Sequence, residues 1–124
     1  MDKADERLAG ATREYRNGRY NNSANRSYYA CFAAAIHALE EAGFRPLGAR
    51  TTWSHERLQA AFVRELISRR KQYPSELRSV LLRNQELRLT ADYERHLVTE
   101  TQAARALRRA QGFVEAVQRG GVGQ

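Results

Sequence analysis

The fold class is decided by one segment of the sequence, Asn25-Arg26-Ser27-Tyr28-Tyr29-Ala30-Cys31-Phe32-Ala33-Ala34-Ala35-Ile36. Phe32 and Ile36 follow one of the two tyrosines at the spacing of a single helix face. The alanines between them keep much of this surface small, so that another helix can approach closely. We therefore expect a long helix over residues 20–42, ended by Gly43.

Other segments repeat this helical periodicity. The first, Asp2–Arg16, has acids near its beginning and arginines near its end, which suits the helix dipole. The third helix is predicted to begin after Ser54 as its N-cap residue, and the fourth opens at Pro74. The fifth begins at Thr99, which is predicted to form a capping box with Gln102.

The five predicted helices account for nearly the whole chain. No segment has a convincing strand pattern, and residues 89–97 have weak periodicity that indicates a bent or broken helix. Five helices around one core predict an all-α bundle. The length of 124 residues suits one domain over residues 1–124, with residues 118–124 expected to fray.

The charge of the chain is strongly basic. It carries a net charge of +7, with 19 arginines and 2 lysines. A codon bias towards arginine and selection for nucleic acid explain this composition equally well. Residues 45–71 have a local net charge of +5 and end in Arg69-Arg70-Lys71. This trio suits a nucleic-acid backbone, although cations are also favoured at any helix C-terminus.

Several protein classes are excluded by absent patterns. The sequence contains no apolar run long enough to span a membrane and no secretory signal pattern. One cysteine, Cys31, supports neither a disulfide framework nor a multi-cysteine zinc site. No phosphate-binding loop, nucleophile elbow or H-E-x-x-H motif is present. We expect a cytoplasmic protein without a metal or other cofactor.

Three isolated residues have ordinary structural explanations. Cys31 lies among alanines and is expected to be a small core residue. His37 lies mid-helix beside Ile36 and is expected to pack there, partly buried. His55 lies at the start of the third helix, where capping is favoured over catalysis.

A polar cluster interrupts the apolar face of the fourth helix. Its members are Asn84, Arg88, Asp92 and Tyr93. Arg88 and Asp92 are separated by one helical turn and can form an ion pair. An ordinary surface pair of this kind contributes less than about 1 kcal/mol. Arg26 lies on an aromatic and alanine-rich helix face. A buried arginine there needs an oppositely charged partner, and we expect Arg26 to pair with Asp92.

At these residues the sequence resembles a known family. The segment Asn25-Arg26-Ser27-Tyr28-Tyr29-Ala30-Cys31-Phe32 resembles the Asn-Arg-Ala-Tyr-Tyr-Ala-x-Phe run of proteins with a HEPN domain (higher eukaryotes and prokaryotes nucleotide-binding). His55, followed by Ala60-Ala61-Phe62, is similar to the His-Ser-Gly helix start of that family, although Glu56-Arg57 stands in place of Ser-Gly. The segment Glu86-Leu87-Arg88-Leu89-Thr90-Ala91-Asp92-Tyr93 resembles the Glu-Leu-Arg-x-x-Ala-Asp-Tyr pattern of one small prokaryotic branch.

The resemblance implies an up-and-down bundle of four long helices with a shorter fifth, usually dimeric. It also implies a nucleic-acid context, since many HEPN proteins are metal-independent ribonucleases of toxin–antitoxin, antiphage or CRISPR-linked systems. Many are encoded beside a small nucleotidyltransferase that serves as antitoxin. We therefore expect a homodimer, RNA or a nucleotide as ligand, and a nucleotidyltransferase as partner.

The sequence departs from the catalytic pattern of that family. The family has an arginine followed, after four to six residues, by a histidine. After Arg88 that position holds Tyr93, and His96 follows after a slightly longer gap. A tyrosine with an ordinary pKa near 10 is a poor base at neutral pH, although it can donate a hydrogen bond.

Three hypotheses follow from these residues. In the first, a ribonuclease uses Arg88 at the phosphate and Tyr93 or His96 for proton transfer. A further set of residues would orient these groups or bind RNA: Arg26, Asp92, Tyr29 and Asn84. In the second, the same groove binds RNA, a nucleotide or a nucleotidyltransferase without catalysis. In the third, the chain is a purely structural helical dimer.

Overall fold

The computed structural model describes residues 1–46, 48, 52–93 and 97–121, with the backbone alone at Tyr93. Within these residues the structure is all-helical and contains no strand, so the predicted all-α bundle is confirmed. The helices are α1 (Asp2–Arg16), α2 (Tyr20–Glu41), α3 (His55–Ala61), α4 (Glu76–Tyr93) and α5 (Glu100–Gln118). A π-helical segment, Phe62–Arg69, continues α3 directly.

The long helix α2 is the centre of the bundle and contacts every other helix. Its alanines make this possible, because Ala30, Ala34 and Ala35 are fully buried and let neighbouring backbones approach. Phe62 and Phe113, from the π-helical segment and α5, fill the core with ring centroids 5.3 Å apart. The close approach predicted from the alanine-rich segment is therefore observed.

The direction of the helices departs from strict alternation at one point. Most neighbours in sequence run in opposite directions, because α2 begins where α4 ends and α1 begins where α5 ends. Contacts of Asn21 with Ala91 and of Asp5 with Gln118 join these ends. The exception is α3, which runs the same way as α2. Its first residue, His55, lies beside Tyr28 in α2, and Arg70, which follows the π-helical segment, lies beside Phe44, which follows α2. His55 is therefore beside the middle of α2 rather than at its end.

The helix starts predicted from capping residues are confirmed at two places. The Ser54 hydroxyl accepts a hydrogen bond from the Arg57 amide at 3.2 Å. At α5 the Thr99 hydroxyl accepts from the Gln102 amide, and the Gln102 side chain accepts from the Thr99 amide. Each interaction satisfies amides that a helix start leaves without an intrahelical partner.

The π-helical segment was not expected from the sequence. Phe62 and Leu66 are buried as predicted, but Ile67 and Glu65 also face the interior. The wider winding lets these side chains share one side of the helix. The segment ends at Arg69, and Lys71, two residues further on, has a φ of 52° in the left-handed region.

The last described residues of the chain contact the rest of the fold. Gln118 belongs to α5, and the Gly121 amide donates to the Ala116 carbonyl at 3.0 Å. Gln72 donates to the Gly120 carbonyl, and a Cβ atom at Gly121 would lie 2.2 Å from the Gln72 carbonyl oxygen. The fraying of residues 118–124 stays a prediction, and residues 122–124 lie outside the described part.

Asn84 joins three helices inside the bundle. Its side chain is fully buried on α4 and donates to the Ala106 carbonyl of α5 at 3.1 Å. Its Oδ1 atom accepts from Arg109 Nε at 2.8 Å, and its amide also contacts the sulfur of Cys31 on α2. We predicted Asn84 among the binding residues, but these contacts give it a place in the interior.

Replacing Asn84 with alanine tests this assignment. We expect Asn84→Ala to lower the free energy of unfolding by roughly 2–4 kcal/mol, because it leaves a cavity and removes hydrogen bonds to buried groups. Urea denaturation measures the change. Arg83→Ala, at the exposed neighbouring position, is the control and should change stability by less than about 0.5 kcal/mol. Equal effects of the two substitutions would contradict the assignment.

Candidate functional site

The side chain of Arg88 lies almost wholly inside the protein, between α4 and α2. Its residue is only 7 % exposed, which is unusual for an arginine. The guanidinium carbon lies 5.4 Å from the ring centroid of Tyr28 and 5.7 Å from that of Tyr29. These distances place the cation against two aromatic rings. The tyrosine pair of α2 therefore packs against the guanidinium group of Arg88 on α4.

Asp92 completes the charge balance of Arg88. Arg88 Nη1 lies 3.3 Å from Asp92 Oδ2, one helical turn further along α4, so the predicted ion pair is confirmed. The carboxylate also accepts hydrogen bonds from Asn25 Nδ2 at 3.0 and 3.3 Å. Asp92 thereby ties α4 to α2 as well as neutralising a cation.

Arg26 does not take part in this network, contrary to our expectation. It lies 3.1 Å from Glu14 of α1, and its side chain is 40 % exposed. It also passes over Gly10, where a Cβ atom would lie 3.0 Å from Arg26 Cδ. Arg26 faces α1 and its neighbour Asn25 faces α4, because successive residues of a helix point in different directions.

His55 lies against the same tyrosines. Its Nδ1 atom is 2.6 Å from the Tyr28 hydroxyl, and the imidazole stacks on the Tyr28 ring at a centroid distance of 5.5 Å. The ring also contacts Phe32 at 4.8 Å and Tyr29 at 6.0 Å. Ser54 caps α3 as predicted, whereas His55, for which capping was favoured over catalysis, lies against the tyrosines that contact Arg88.

The protonation states of Tyr28 and His55 follow from their surroundings. Burial raises the pKa of the Tyr28 hydroxyl, which therefore keeps its proton. Burial, and secondly the charge of Arg88, lower the pKa of His55, so that the imidazole is neutral near pH 7.

Further hydrogen bonds surround the Tyr28 hydroxyl. Gln59 donates to it at 3.5 Å and to Gln85 Oε1 at 2.6 Å. The hydroxyl and His55 Nδ1 share one hydrogen bond, whose donor depends on the tautomer of the imidazole.

Tyr29 lies between two arginines. The guanidinium carbon of Arg7, on α1, is 5.8 Å from the ring centroid of Tyr29, close to the distance found for Arg88. Arg7 is exposed and Tyr29 is half-buried, so both are accessible from solvent. We refer to Arg7, Asn25, Tyr29, His55, Arg88 and Asp92 together as the Arg88 site.

The other predicted catalytic residues lie at the limit of the described structure. Tyr93 is the last residue of α4, and only its backbone is described. His96 lies outside the described residues. The imidazole that the structure does place near Arg88 is that of His55, and its resemblance to the family's helix start was the signal for it in the sequence.

The basic trio lies well away from this site. His55 and Arg69 are at opposite ends of α3 and its π-helical continuation, which separates them by roughly 20 Å. Arg69 contacts Glu65 at 2.8 Å, and Arg70 lies over the Phe44 ring at 5.0 Å. Hydrogen bonds from Arg64 and the charge of Arg69 lower the pKa of Glu65. A role of Arg69, Arg70 and Lys71 on a nucleic-acid backbone stays a prediction.

The remaining chemistry-bearing residues have structural roles. Cys31 is fully buried, and burial raises its pKa to about 12, so the thiolate form is not available near neutral pH. His37 is partly buried and lies 3.8 Å from Glu41 on the same helix. In the described part of the chain, no three His, Cys, Asp or Glu side chains are grouped as metal ligands. No helix described here is both long and apolar enough to cross a membrane.

The fold and the site define a helical-bundle protein that holds an arginine and a histidine against a tyrosine pair. The family model of the HEPN domain matches residues 1–120 of the chain. The protein therefore belongs to the HEPN domain family. No curated protein sequence matches the chain.

The pKa of His55 tests the site geometry. The folded protein binds a proton at His55 less readily than the unfolded chain, whose imidazole titrates near pH 6.5. His55 therefore stabilises the fold above about pH 6.5, and this stability is lost as the pH falls from there towards the lower folded pKa. We expect an NMR titration midpoint below 6.5 for His55, with its signals assigned by comparison with His55→Phe.

Two substitutions of Arg88 separate the effect of charge from that of burial. Arg88→Gln should raise the pKa of His55, since it removes a nearby positive charge, whereas Arg88→Lys should leave it low. A midpoint at or above 6.5 in the unmodified protein would contradict the described surroundings of the imidazole.

Proposed function

We propose that this HEPN protein binds RNA at the Arg88 site. One observation carries the proposal: Tyr29 is flanked by the guanidinium groups of Arg7 and Arg88 and by the imidazole of His55. Aromatic rings beside arginines suit single-stranded RNA, because bases stack on rings while cations attract phosphates.

Each group has a distinct part in the proposed binding. The exposed Arg7 contacts a phosphate, and Nε2–H of His55 donates to a phosphate or ribose oxygen. Asn25 and Asp92 offer amide and carboxylate groups for the edges of an unstacked base. Arg88, being buried and paired with Asp92, holds the tyrosines and Asp92 in position.

The proposed setting is a prokaryotic toxin–antitoxin or defence system. Membership of the HEPN family supports this setting, as do the Asn25–Phe32 and Glu86–Tyr93 motifs of the sequence. We further propose a cytoplasmic homodimer and a nucleotidyltransferase encoded nearby as its partner. The mass of the purified protein and its co-purification with the neighbouring gene product test these two points.

A second candidate function is metal-independent cleavage of RNA. The observation in its favour is a neutral imidazole close to a guanidinium group, which pairs a proton-accepting group with a cation that stabilises a charged phosphate. His55 Nδ1 is engaged in a hydrogen bond with the Tyr28 hydroxyl. Tyr93 or His96 takes part in the proposed proton transfer alongside this imidazole.

RNA binding is predicted to depend on Arg7 and Tyr29. We expect Arg7→Gln to weaken binding of a fluorescein-labelled single-stranded RNA about threefold to tenfold, and to reduce its salt dependence, since one phosphate contact is lost. Tyr29→Leu should weaken binding by a similar factor through lost stacking. Fluorescence anisotropy at several salt concentrations measures both effects.

The control variant is Arg108→Gln, which removes the same charge from an exposed position on α5. It should leave the affinity within about twofold of the unmodified protein. Equal losses in Arg7→Gln and Arg108→Gln would mean that only the overall charge attracts RNA. A nucleoside triphosphate that displaces the RNA at micromolar concentration would instead make the site a nucleotide site.

Incubation of RNA with the purified protein in EDTA separates binding from cleavage. Binding alone predicts that the RNA stays intact while anisotropy shows a complex. Cleavage that persists in EDTA and disappears in Arg88→Lys would establish the second candidate function. Cleavage that survives in Arg88→Lys, Tyr93→Phe and His96→Gln would show a different active site or a contaminating nuclease.

A further inference from the structure

A groove of about 590 Å³ opens between the π-helical region and α4, beyond the residues proposed to bind RNA. Its apolar lining comes from Ala60 and Val63 on one side and from Leu81 and Leu82 on the other. Few close contacts join α4 to α3 or to the π-helical segment, which leaves this space between them.

The apolar side chain that stands out at this groove is Leu82. It is 50 % exposed, although it lies in the middle of a helix where neighbouring leucines are buried. The adjacent Leu81 is only 1 % exposed, so the groove continues the core outward to an uncovered leucine. An apolar surface of this kind between two helices fits the apolar face of a third helix.

The rim of the groove is positively charged. Arg64, Arg69 and Arg78 are among its lining residues, together with the polar side chains of Gln59 and Ser68. The nearby carboxylate of Glu65 is buried and is shared between Arg64 and Arg69, so three arginines face one acid. The rim therefore keeps a net positive charge.

From these features we infer that the groove binds an amphipathic helix of a partner protein, with leucine-like residues on one face and acidic residues flanking it. The apolar lining takes the leucines, and the arginine rim attracts the acids. A second copy of this chain fits less well, because a symmetric contact would bring the same arginines together. RNA fits less well, because the lining contains no aromatic ring on which a base can stack.

The groove is separate from the RNA surface but adjoins it. Gln59 lines the groove and also donates hydrogen bonds to Tyr28 and Gln85. The groove does not depend on the proposed function, since its lining contains none of the residues of the Arg88 site.

The probe is an 18-residue synthetic helix with leucines at positions i, i+3, i+4 and i+7 and glutamates on both flanks. A peptide with lysine in place of every glutamate and a peptide of scrambled order are its controls. We expect the full-length protein to bind the glutamate peptide and to bind both controls at least about tenfold more weakly. Isothermal titration calorimetry measures the affinities.

Substitutions at the groove test its location. Leu82→Glu should weaken binding of the glutamate peptide about tenfold or more, and Arg78→Glu should weaken it several-fold. Both positions are exposed, so the fold should be kept, as circular dichroism will check. Leu89→Glu, at an exposed leucine of the same helix outside the groove, should leave binding unchanged.

Several outcomes would overturn the inference. Failure of the unmodified protein to bind the glutamate peptide is one, and equal binding of the lysine peptide is another. Leu82→Glu without effect on binding would place the peptide elsewhere. Conversion of a dimer to a monomer by Leu82→Glu in analytical ultracentrifugation would make the groove a contact between two copies. Displacement of the peptide by RNA in the Arg7→Gln variant would make it a nucleic-acid surface.

Discussion

The burial of the Arg88 guanidinium constrains how the two central helices pack. A charged group inside a protein is costly unless it is paired and well surrounded. Here the two tyrosine rings of α2 and the carboxylate of Asp92 provide that environment. The tyrosines belong to one helix and Arg88 to another. A rotation or a shift of either helix would therefore separate the buried guanidinium group from the rings that surround it. The Arg88–Asp92 ion pair and the two tyrosine rings therefore fix the register of α2 against α4.

The same constraint organises the surface above Arg88. Asn25 and Asp92 are joined across the helix pair, and Tyr28 holds His55 from a third helix. Because α3 runs in the same direction as α2, its first residue lies beside these tyrosines. A buried, fixed cation thus supports a more exposed set of polar and aromatic groups. Such an arrangement suits a binding surface whose geometry has to be settled before the ligand arrives.

The features predictable from the sequence were those set by local spacing. Thr99 and Gln102 are three residues apart and Arg88 and Asp92 are four apart, so their contacts follow from helix geometry alone. The family motifs likewise indicated the helical bundle. The predicted partner of Arg26 was wrong, because the true partner depends on the direction in which the side chain leaves α2. Asn25 faces α4, whereas the next residue, Arg26, faces α1 and Gly10. The place of His55 depends on the path of a connecting segment, and the widening of helix α3 beyond Phe62 has no marker in the sequence that we recognise.

We propose that RNA lies on the Arg88 site rather than on the distant basic trio. Chemical-shift mapping of the ¹⁵N-labelled protein during titration with single-stranded RNA tests it most directly. We expect the largest shifts at the amides of Arg7, Tyr29, His55 and Asp92. Shifts confined to Arg69, Arg70 and Lys71, with the amides around Arg88 unchanged, would contradict it.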